Sequence, residues 1–435
     1  MVEYIIAFAI VAAGALALLL IQGRFSTMER RHLWAGLAAY LFAAVFKIWL
    51  IVEYYGGTGD MMMYHRVALG LTNLLQQDPA VYVPEMLRLF FQLETQTHLD
   101  IFGYGTSTAS MSAILALLFW IFGDSLHIVS LFLGVLSFFA SVAMYWAFRQ
   151  TLTPEYRRGL LWACILLPSG VFWTGGFSKE LFSVMGLGLG LLGCYYLFIR
   201  RYRWFWGVTL TIVGVGLVTL FKGYLLFGLV AGFAGFYYAA RRRRVHPKDT
   251  HRLAPLYFLV AIAVVLVGII ALGELFPQFS PEAMAEEMAH GQEAGARGGS
   301  AIEMGDPAER SLAGQLAFAP IAVLNTLFRP LIFEAHNAVS LFNAVEMTVL
   351  TVLLAFGIKW VGVRRTLRLM MRSPVLLGCF SAVLILSVGI GLASANLGTL
   401  SRYRAPLMPF WVVIITVLFT YGRTLRGGRV SGGQT

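Results

Sequence analysis

The sequence predicts an all-α fold, a polytopic transmembrane helical bundle, from two observations. Of the 435 residues, 58% are hydrophobic and 13% are charged, and the mean hydropathy is +0.74. Apolar runs of about 17 to 25 residues recur along the whole chain, and roughly 20 apolar residues are needed to cross the hydrocarbon core of a bilayer. We therefore exclude a soluble protein and expect residues 1–435 to form a single transmembrane domain.

The apolar runs predict eleven spans. They cover residues 2–22, 33–53, 128–148, 159–175, 181–198, 204–221, 224–240, 254–273, 336–358, 374–394 and 405–421. The first run lacks a basic start and an A-x-A cleavage site, so we expect a retained helix and not a signal peptide. Because basic residues follow that run, we expect the amino terminus outside and the carboxyl terminus in the cytoplasm.

The net charge of +11 follows this topology. The predicted inner segments hold 23 of the 33 Lys and Arg residues but only 3 of the 22 Asp and Glu residues. These segments are 23–32, 149–158, 199–203, 241–253, 359–373 and the tail from Gly422. Positive cytoplasmic loops are the usual sign of membrane orientation, so the charge does not indicate nucleic-acid binding. We expect an integral protein of a bacterial inner membrane.

Two predicted outer loops are long. The first, 54–127, contains amphipathic stretches at 64–77 and 80–94 and then the apolar run "STASMSAILALLFWIF". This run is roughly 15 residues, short for a span, so we expect interfacial or re-entrant helices here. The second loop, 274–335, begins acidic and Gly-rich and then becomes apolar. We expect its first part to be mobile and its second part to pack against the bundle.

Two sequence patterns predict packing and not chemistry. The stretch "GLGLLG" at 188–193 matches G-x-G-x-x-G, but it lies inside an apolar run and follows no predicted strand, so we do not predict dinucleotide binding. Gly186 and Gly190 have the spacing of close helix packing. The three cysteines all lie in apolar runs and predict neither a disulfide framework nor a metal site.

Charged residues at the outer ends of the predicted spans form the candidate site. They lie in "GGTGDMMMYH" (56–65), "GGFSKE" (175–180), "LFKGY" (220–224), "LFRPLIFEAHN" (327–337), "NLGTLSRYR" (396–404) and a sixth stretch with Arg297 and Glu303. The positive-inside rule gives no reason for basic residues on this side. A charge at the membrane boundary also needs a partner or water, which makes these residues functional candidates.

The residue types indicate a site for an amphiphile that bears phosphate. Asp60 follows three glycines within five residues, which let the backbone turn and present the carboxylate. Asp60 and Glu180 are the candidate catalytic carboxylates. The candidate substrate-binding and phosphate-binding residues are Lys179, Lys222, Arg297, Arg329, Glu334, His336, Arg402 and Arg404. For each one, a local salt bridge, a solvated loop position or a snorkelling side chain is the alternative.

The order of segments resembles the amino-terminal region of GT-C glycosyltransferases, the class of protein mannosyltransferases and aminoarabinose transferases. The resemblance covers residues 33–200 and rests on the run from "GTSTASMSAIL" to "LLPSGVFW" (105–173), with "IFGDS" (121–125) as the "lfG-x-s" element. It places Asp60 at the first-loop catalytic carboxylate and Lys179/Glu180 at the second-loop acidic motif. Metal-dependent members carry D-x-D where this chain has K-E, which leaves a divalent metal open; no other cofactor is expected.

The resemblance implies a transferase that passes a sugar from a polyprenyl-phosphate or polyprenyl-diphosphate donor to a glycan, lipid or protein acceptor at the outer face. Asp60 would act as general base. Arg402 and Arg404, with Lys179 or Arg329, would stabilise the leaving phosphate. Three other functions stay open: a polymerase or ligase of lipid-linked oligosaccharides, a transporter or lipid flippase, and a structural subunit of an envelope assembly.

Overall fold

The computed structural model describes residues 1–97, 99–200, 203–242, 312–394 and 396–431, and the single positions 263 and 267. Apart from those two positions, the predicted span 254–273 lies outside the described residues. The candidate Arg297 and the rest of the loop up to residue 311 lie outside them as well. The described part of the chain is helical and contains no strand, which confirms the all-α fold class.

The described helices are labelled in chain order. The first ten are α1 (Val2–Gln22), α2 (Thr27–Trp49), α3 (Asp60–Gln77), α4 (Pro79–Phe90), α5 (Ser107–Phe122), α6 (Leu126–Arg149), α7 (Arg157–Leu161), α8 (Pro168–Thr174), α9 (Lys179–Cys194) and α10 (Trp204–Lys222). The others are α11 (Leu225–Arg242), α12 (Leu312–Ala317), α13 (Ala319–Phe328), α14 (Ala338–Val361), α15 (Val363–Arg372), α16 (Pro374–Leu392), α17 (Leu397–Tyr403) and α18 (Met408–Ser431). Helices α2, α7 and α9 continue into π-helical turns at Leu50–Tyr54, Trp162–Leu166 and Tyr195–Ile199.

Among the described residues, eight helices are long and apolar enough to cross a membrane. They are α1, α2 with its π turn, α6, α9 with its π turn, α10, α14, α16 and α18. Each coincides with a predicted span, which is compatible with an integral membrane protein. The predicted span 159–175 is divided, because α8 starts anew at Pro168, a residue that has no N–H to continue the preceding helix. The predicted span 224–240 corresponds to α11, which is not among the eight.

The chain divides into two compact units. The first comprises Met1–Met144, Ile165–Leu189 and Val213–Gly223, and the second comprises Tyr145–Cys164, Gly190–Ile212 and Tyr224–Thr435.

In the first unit, the amphipathic helices α3 and α4 pack against the apolar helix α5. Helix α3 buries Tyr64, Ala68, Leu71 and Leu75, which recur every three or four residues and therefore share one face. Residues of α5, such as Leu115, are buried in the same core. Helix α5 can thus be apolar along its length without spanning a bilayer, because neighbouring helices cover it. The helices found in 54–127 match the predicted ones in kind, whereas their position in a membrane interface stays a prediction.

Helices α9 and α10 approach closely at Gly186. A Cβ atom at this position would lie 2.8 Å from the carbonyl oxygen of Gly214 and 2.7 Å from Cγ2 of Val218. The first of these atoms belongs to the backbone, which has little freedom to move away. The close packing predicted from the sequence at Gly186 is therefore confirmed. At Gly190, in the second unit, a Cβ would lie 2.8 Å from Cδ1 of Leu229.

The Gly186→Ala variant is expected to destabilise the protein by about 1–3 kcal/mol, because the added methyl overpacks the contact with α10. Gly216→Ala is the matched control, since Gly216 also lies in a helix of the first unit and has no atom within 4 Å of its would-be Cβ. Alanine there is expected to be neutral or to stabilise the helix by up to about 1 kcal/mol. Thermal unfolding in one detergent measures both, and equal midpoints for the two variants would contradict close packing at Gly186.

The second unit is organised around α16. This helix packs against α11, α13 and α18, and α14 packs against α18. Helix α13 is joined to α16 by Thr326, whose hydroxyl donates to the carbonyl oxygens of Ala322 and Ser387 at 2.8 and 3.0 Å. The helix crossing is close, because a Cβ at Gly391 would lie 2.7 Å from the Cβ of Ala322. Because Ala322 meets Gly391 and the later Thr326 meets the earlier Ser387, the two helices run antiparallel, and the start of α13 lies near the end of α16.

Candidate functional site

A glycine loop presents Asp60 at the start of α3. Gly56, Gly57 and Gly59 have φ angles of 64°, 70° and 97°, a region that residues with a side chain rarely adopt. The loop connects the π turn after α2 to the first residue of α3, Asp60, whose side chain is exposed. A carboxylate is favourable at a helix N-terminus because it faces the unpaired N–H groups of the first turn.

Lys179 lies close to this helix start. Its ammonium nitrogen is 4.9 Å from the ring centroid of Tyr64, and Tyr64 is one helical turn beyond Asp60 on the same face of α3. The same nitrogen donates to the hydroxyls of Ser107 and Thr108 at 3.1 and 2.9 Å. Lys179 is the first residue of α9, and its hydroxyl partners belong to the first turn of α5. Side chains from the N-terminal turns of three helices therefore meet here.

Glu180 forms a buried ion pair with Lys222. The Lys222 Nζ to Glu180 Oε1 distance is 3.0 Å, and the two side chains are 8% and 0% exposed. The pair joins the start of α9 to the end of α10. The next turn supports it, because the rings of Phe182 and Phe221 stack at 4.5 Å between centroids. Glu180 is thus held by its neighbours and has no surface open to solvent.

Gln92 links three elements of the first unit. Its amide nitrogen donates to Ser110 Oγ at 3.1 Å and to the carbonyl oxygen of Leu220 at 2.7 Å. Among the described residues it is the one non-glycine residue with positive φ, at 59°. The amide therefore ties the end of α4 to α5 and to the last turn of α10, immediately before Lys222.

His65 contributes no charge beside Asp60 at neutral pH. Its ring packs edge-on against Phe119 at 5.3 Å. Burial lowers the pKa of His65, and the negative charge of Asp124 offsets part of that shift. Because the net shift is downward from a value already below 7, the imidazole is mainly neutral at pH 7.

In the second unit, Arg329 and Glu334 form a local ion pair. Arg329 Nε donates to Glu334 Oε1 at 2.8 Å, and the N–H of Leu331 donates to the other carboxylate oxygen at 2.7 Å. Burial tends to raise the pKa of Glu334, but these hydrogen bonds and the charges of Arg329 and His336 lower it overall. His336 is exposed, and its backbone N–H donates to Ser340 Oγ at 3.0 Å.

Arg404 is fully buried, with an exposed fraction of 0%. Its Nη1 donates to the carbonyl oxygen of Arg329. Its Nε and Nη2 are buried and have no hydrogen-bond partner among the described residues. Burial lowers the pKa of the guanidinium to about 10 while Glu346 acts in the opposite direction, so the group stays charged at neutral pH. Arg402, two residues earlier, is only partly buried.

Five of the six predicted outer stretches meet in two groups. In the first unit, 56–65, 175–180 and residues 220–223 of the third stretch are connected through the contacts of Lys179 and Glu180. In the second unit, 327–337 and 396–404 are connected through Arg404 and the Arg329 carbonyl. The sixth stretch lies outside the described residues. The contacts establish which side chains meet, and the chemical roles of those side chains stay predictions.

Two features of the first-unit group were not predicted from the sequence. The hydroxyls of Ser107 and Thr108 bind Lys179, and the hydroxyl-rich run "TSTAS" at the start of α5 was the signal that could have pointed to them. Gln92 carries no such signal, because a single glutamine after an amphipathic helix resembles any solvated residue. Its contacts are 18 and 128 residues away in the chain.

The residues near Asp60 do not fit a divalent metal. Within the described part of the chain, no three His, Cys, Asp or Glu side chains are grouped as metal ligands. The second predicted carboxylate, Glu180, is paired with Lys222. The ammonium group of Lys179 contacts Tyr64, one helical turn beyond Asp60, and its positive charge would repel a cation. We therefore derive no chemical step through a metal.

Comparison with known proteins adds no relative. The sequence matches no family model, no curated protein and no solved structure. The resemblance to GT-C glycosyltransferases therefore stays a prediction.

Proposed function

We propose that this protein is a membrane glycosyltransferase of the GT-C type that works in cell-envelope polysaccharide synthesis. It transfers a sugar from a polyprenyl-phosphate or polyprenyl-diphosphate donor to a glycan, lipid or protein acceptor. The observation that supports this most is the contact of Lys179 with Tyr64, one helical turn from the exposed Asp60. A carboxylate at the start of α3 and an ammonium group at the start of α9 thus belong to the same end of α3, in a unit that contains several candidate spans.

Asp60 is the proposed general base. It takes the proton from the acceptor hydroxyl or amine while the acceptor atom forms a bond to the anomeric carbon of the sugar. The bond from that carbon to the donor phosphate oxygen breaks, and polyprenyl phosphate or diphosphate leaves with the electron pair. A general base must be within hydrogen-bond reach of the proton that it removes, and the exposed side chain of Asp60 is open to an acceptor from solvent.

Lys179 is the proposed electrostatic partner. Two hydroxyls and an aromatic ring fix its ammonium group, so little reorganisation is needed when negative charge develops on the donor phosphate. The N-terminal turns of the helices that begin here add N–H dipoles of the same sign. In the second unit, Arg402 and Arg404 are the proposed phosphate-binding residues.

For Glu180 the geometry favours a positioning role over proton transfer. Its carboxylate is fully buried and paired with Lys222, so an acceptor has no route to it from solvent. Because Glu180 follows Lys179 directly at the start of α9, the ion pair holds the first turn of α9 in place. Lys222 has the same role from α10. The roles of Arg329 and Glu334 are also positioning, since they hold each other and carry the carbonyl that Arg404 binds.

We also propose the membrane topology in detail. The chain has eleven spans in one domain, with the amino terminus outside and the carboxyl terminus in the cytoplasm. Helices α3 to α5 lie at the outer face of a bacterial inner membrane. In this arrangement the sugar donor reaches Asp60 from the outer leaflet. The short length of α5, 16 residues, supports its place in the interface, since it is less than the roughly 20 residues of a typical span.

The test is to remove the gene in its native host and to identify lipid-linked sugars by mass spectrometry of lipid extracts. We expect a polyprenyl-phosphate or polyprenyl-diphosphate sugar to accumulate and to disappear on complementation with the wild-type gene. The mass of its glycan distinguishes the first alternative, because a polymerase or ligase accumulates an oligosaccharide on diphosphate instead of a single sugar.

Purified protein completes this test. Incubated with the accumulated lipid and membrane acceptors, the wild-type protein is expected to release polyprenyl phosphate or diphosphate. If the lipid accumulates but the purified protein never releases its carrier, a transporter explains the data better than a transferase. If no lipid-linked sugar accumulates, the donor class is wrong.

A further inference from the structure

Helix α15 carries apolar and basic side chains on opposite faces. Val363 and Leu367, four residues apart, share one face, and their side chains are 64% and 59% exposed. The other face carries four exposed arginines: Arg364, Arg365, Arg368 and Arg372. A helix with one basic face and one apolar face is typical of segments that lie on a membrane surface.

The connections of α15 place it at a membrane boundary. Gly362, whose φ is 86°, is the one residue between α14 and α15, and Ser373 is the one residue between α15 and α16. Helices α14 and α16 are both candidate spans. Each end of α15 therefore lies where a span leaves the hydrocarbon core. Because both ends are at this boundary, the 10-residue helix lies along it.

Helix α18 adds basic side chains near the start of α15. The guanidinium carbon of Arg426 is 5.6 Å from the ring centroid of Trp360, in the last turn of α14. A Cβ atom at Gly422 would lie 2.9 Å from the Cβ of Trp360, so α18 and α14 meet just before Gly362. Arg423 and Arg426 are exposed. We define the basic surface as the arginines of these two helices: Arg364, Arg365, Arg368, Arg372, Arg423 and Arg426.

The basic surface has few acidic neighbours. The sequence contains no Asp or Glu after Glu346, and Glu346 lies about four helical turns before the end of α14. Glu155, in a turn that packs against α18, accepts a hydrogen bond from the Thr153 hydroxyl at 2.9 Å. The surface therefore has a strong positive charge, which attracts an anionic partner.

We propose that the basic surface binds the headgroups of anionic diacyl phospholipids, with the apolar face of α15 in the acyl-chain region. Such a lipid satisfies both faces at once, because its phosphate pairs with the arginines and its chains cover Val363 and Leu367. A soluble anion would satisfy the basic face alone. The proposed topology assigns the surface to the cytoplasmic leaflet, whose anionic lipids attract basic segments.

This lipid site is separate from the candidate functional site. Helix α15 precedes α16, whereas Arg404 lies after the other end of α16. The 19 residues of α16 correspond to a length of about 28 Å. The site therefore does not depend on the proposed glycosyl transfer.

The test compares phosphatidylglycerol with phosphatidylcholine of identical acyl chains, each bound to the purified full-length protein and measured by native mass spectrometry. The wild type is expected to bind phosphatidylglycerol more tightly. Arg364→Gln with Arg368→Gln is expected to weaken that binding by roughly 10-fold, because two attractive charges are lost. Arg364→Lys with Arg368→Lys is expected to retain most of it, since the charge is kept. Wild-type affinity in the glutamine variant, or an equal loss in the lysine variant, overturns the proposal.

A charge-matched control is Arg30→Gln with Arg31→Gln. Both arginines are exposed at the start of α2, in another segment predicted to lie inside. This variant loses the same charge and is expected to bind phosphatidylglycerol as the wild type does. An equal loss in both pairs would show that the total positive charge, and not the surface on α15, determines binding, and the proposed site would be wrong.

A soluble polyanion distinguishes a lipid from an acidic protein as the partner. Polyglutamate is expected to compete weakly with phosphatidylglycerol, because it has no acyl chain for the apolar face of α15. Polyglutamate that competes as well as the lipid would overturn the assignment and favour an acidic protein segment as the ligand.

Spin labels in vesicles that contain phosphatidylglycerol test the orientation of α15 and cover the case in which the double variants do not fold. Labels are attached at Leu367→Cys and at Arg365→Cys, which are about 200° apart around the helix, and the three native cysteines are buried. The label at 367 is expected to collide mainly with oxygen, which dissolves among acyl chains, and the label at 365 mainly with a water-soluble nickel complex. Equal exposure of both labels to water would contradict the proposal.

Discussion

Glycosyl transfer is expected to fall by about 10²- to 10⁴-fold when Asp60 is replaced by Asn, the usual contribution of a general base. Asn keeps the size of the side chain and its place at the start of α3, but it cannot accept the proton of the acceptor. Because Asp60 is exposed and begins a helix, the variant is expected to fold. The rate of carrier release from the lipid-linked sugar measures the effect, and donor binding is expected to persist.

Asp78→Asn is the matched control for this variant. Asp78 is an exposed carboxylate of the same unit that caps α4, where it accepts hydrogen bonds from the N–H groups of Ala80 and Val81 at 3.1 and 3.3 Å. Asn caps a helix about as well as Asp, so this variant is expected to keep its activity. Wild-type turnover in Asp60→Asn, or an equal loss in Asp78→Asn, would contradict the assignment of Asp60 as base.

The Glu180→Gln variant is expected to lose about 3–5 kcal/mol of unfolding free energy, because removal of one partner leaves the buried charge of Lys222 uncompensated. Replacing both residues together, as Glu180→Met with Lys222→Met, is expected to recover most of that loss, since it buries no charge. Unfolding in detergent of Glu180→Gln, of the single variants Glu180→Met and Lys222→Met, and of the double variant measures the loss and the coupling between the residues.

The Arg329–Glu334 pair provides the comparison for this prediction. Its side chains are 28% and 15% exposed, so water screens the interaction, and Glu334→Gln is expected to cost only about 0.2–1 kcal/mol. If Glu180→Gln costs no more than Glu334→Gln, the Glu180–Lys222 pair does not hold α9 and α10 together. A loss of activity without a loss of stability in Glu180→Gln would instead favour the direct catalytic role that the sequence suggested.

Most of the long helices could be predicted, because the hydropathy of a segment is enough to identify a long apolar helix. A helix such as α16, apolar all round and 19 residues long, has no other stable place than a membrane or a buried core. The ambiguity lies in short or divided apolar segments. Helix α5 and the segment around Pro168 have the composition of a span, but α5 has only 16 residues and the other segment is divided where Pro168 lacks an N–H.

The site was less predictable, because sidedness can be deduced from charge whereas contacts cannot. The positive-inside rule assigns the outer charges to one side of the membrane. The contacts of Lys179 and Glu180 connect stretches that were assigned to that same side. The rule could not distinguish Arg402 from Arg404. The two arginines differ in burial because α17 ends at Tyr403 and Arg404 turns toward the Arg329 carbonyl. That difference depends on packing between remote segments, which the local residue pattern does not encode.

The π turn at Leu50–Tyr54 makes the chain before Asp60 tolerant of a change of one residue in its length. A π-helical turn accommodates one residue more than an α-helical turn, so deleting one residue there would restore α-helical geometry. Because the wider turn absorbs the extra residue, the chain after it would keep nearly the same direction relative to α2. Over evolution the spacing between α2 and Asp60 should therefore vary by one residue at this turn, with α-helical geometry in the shorter form.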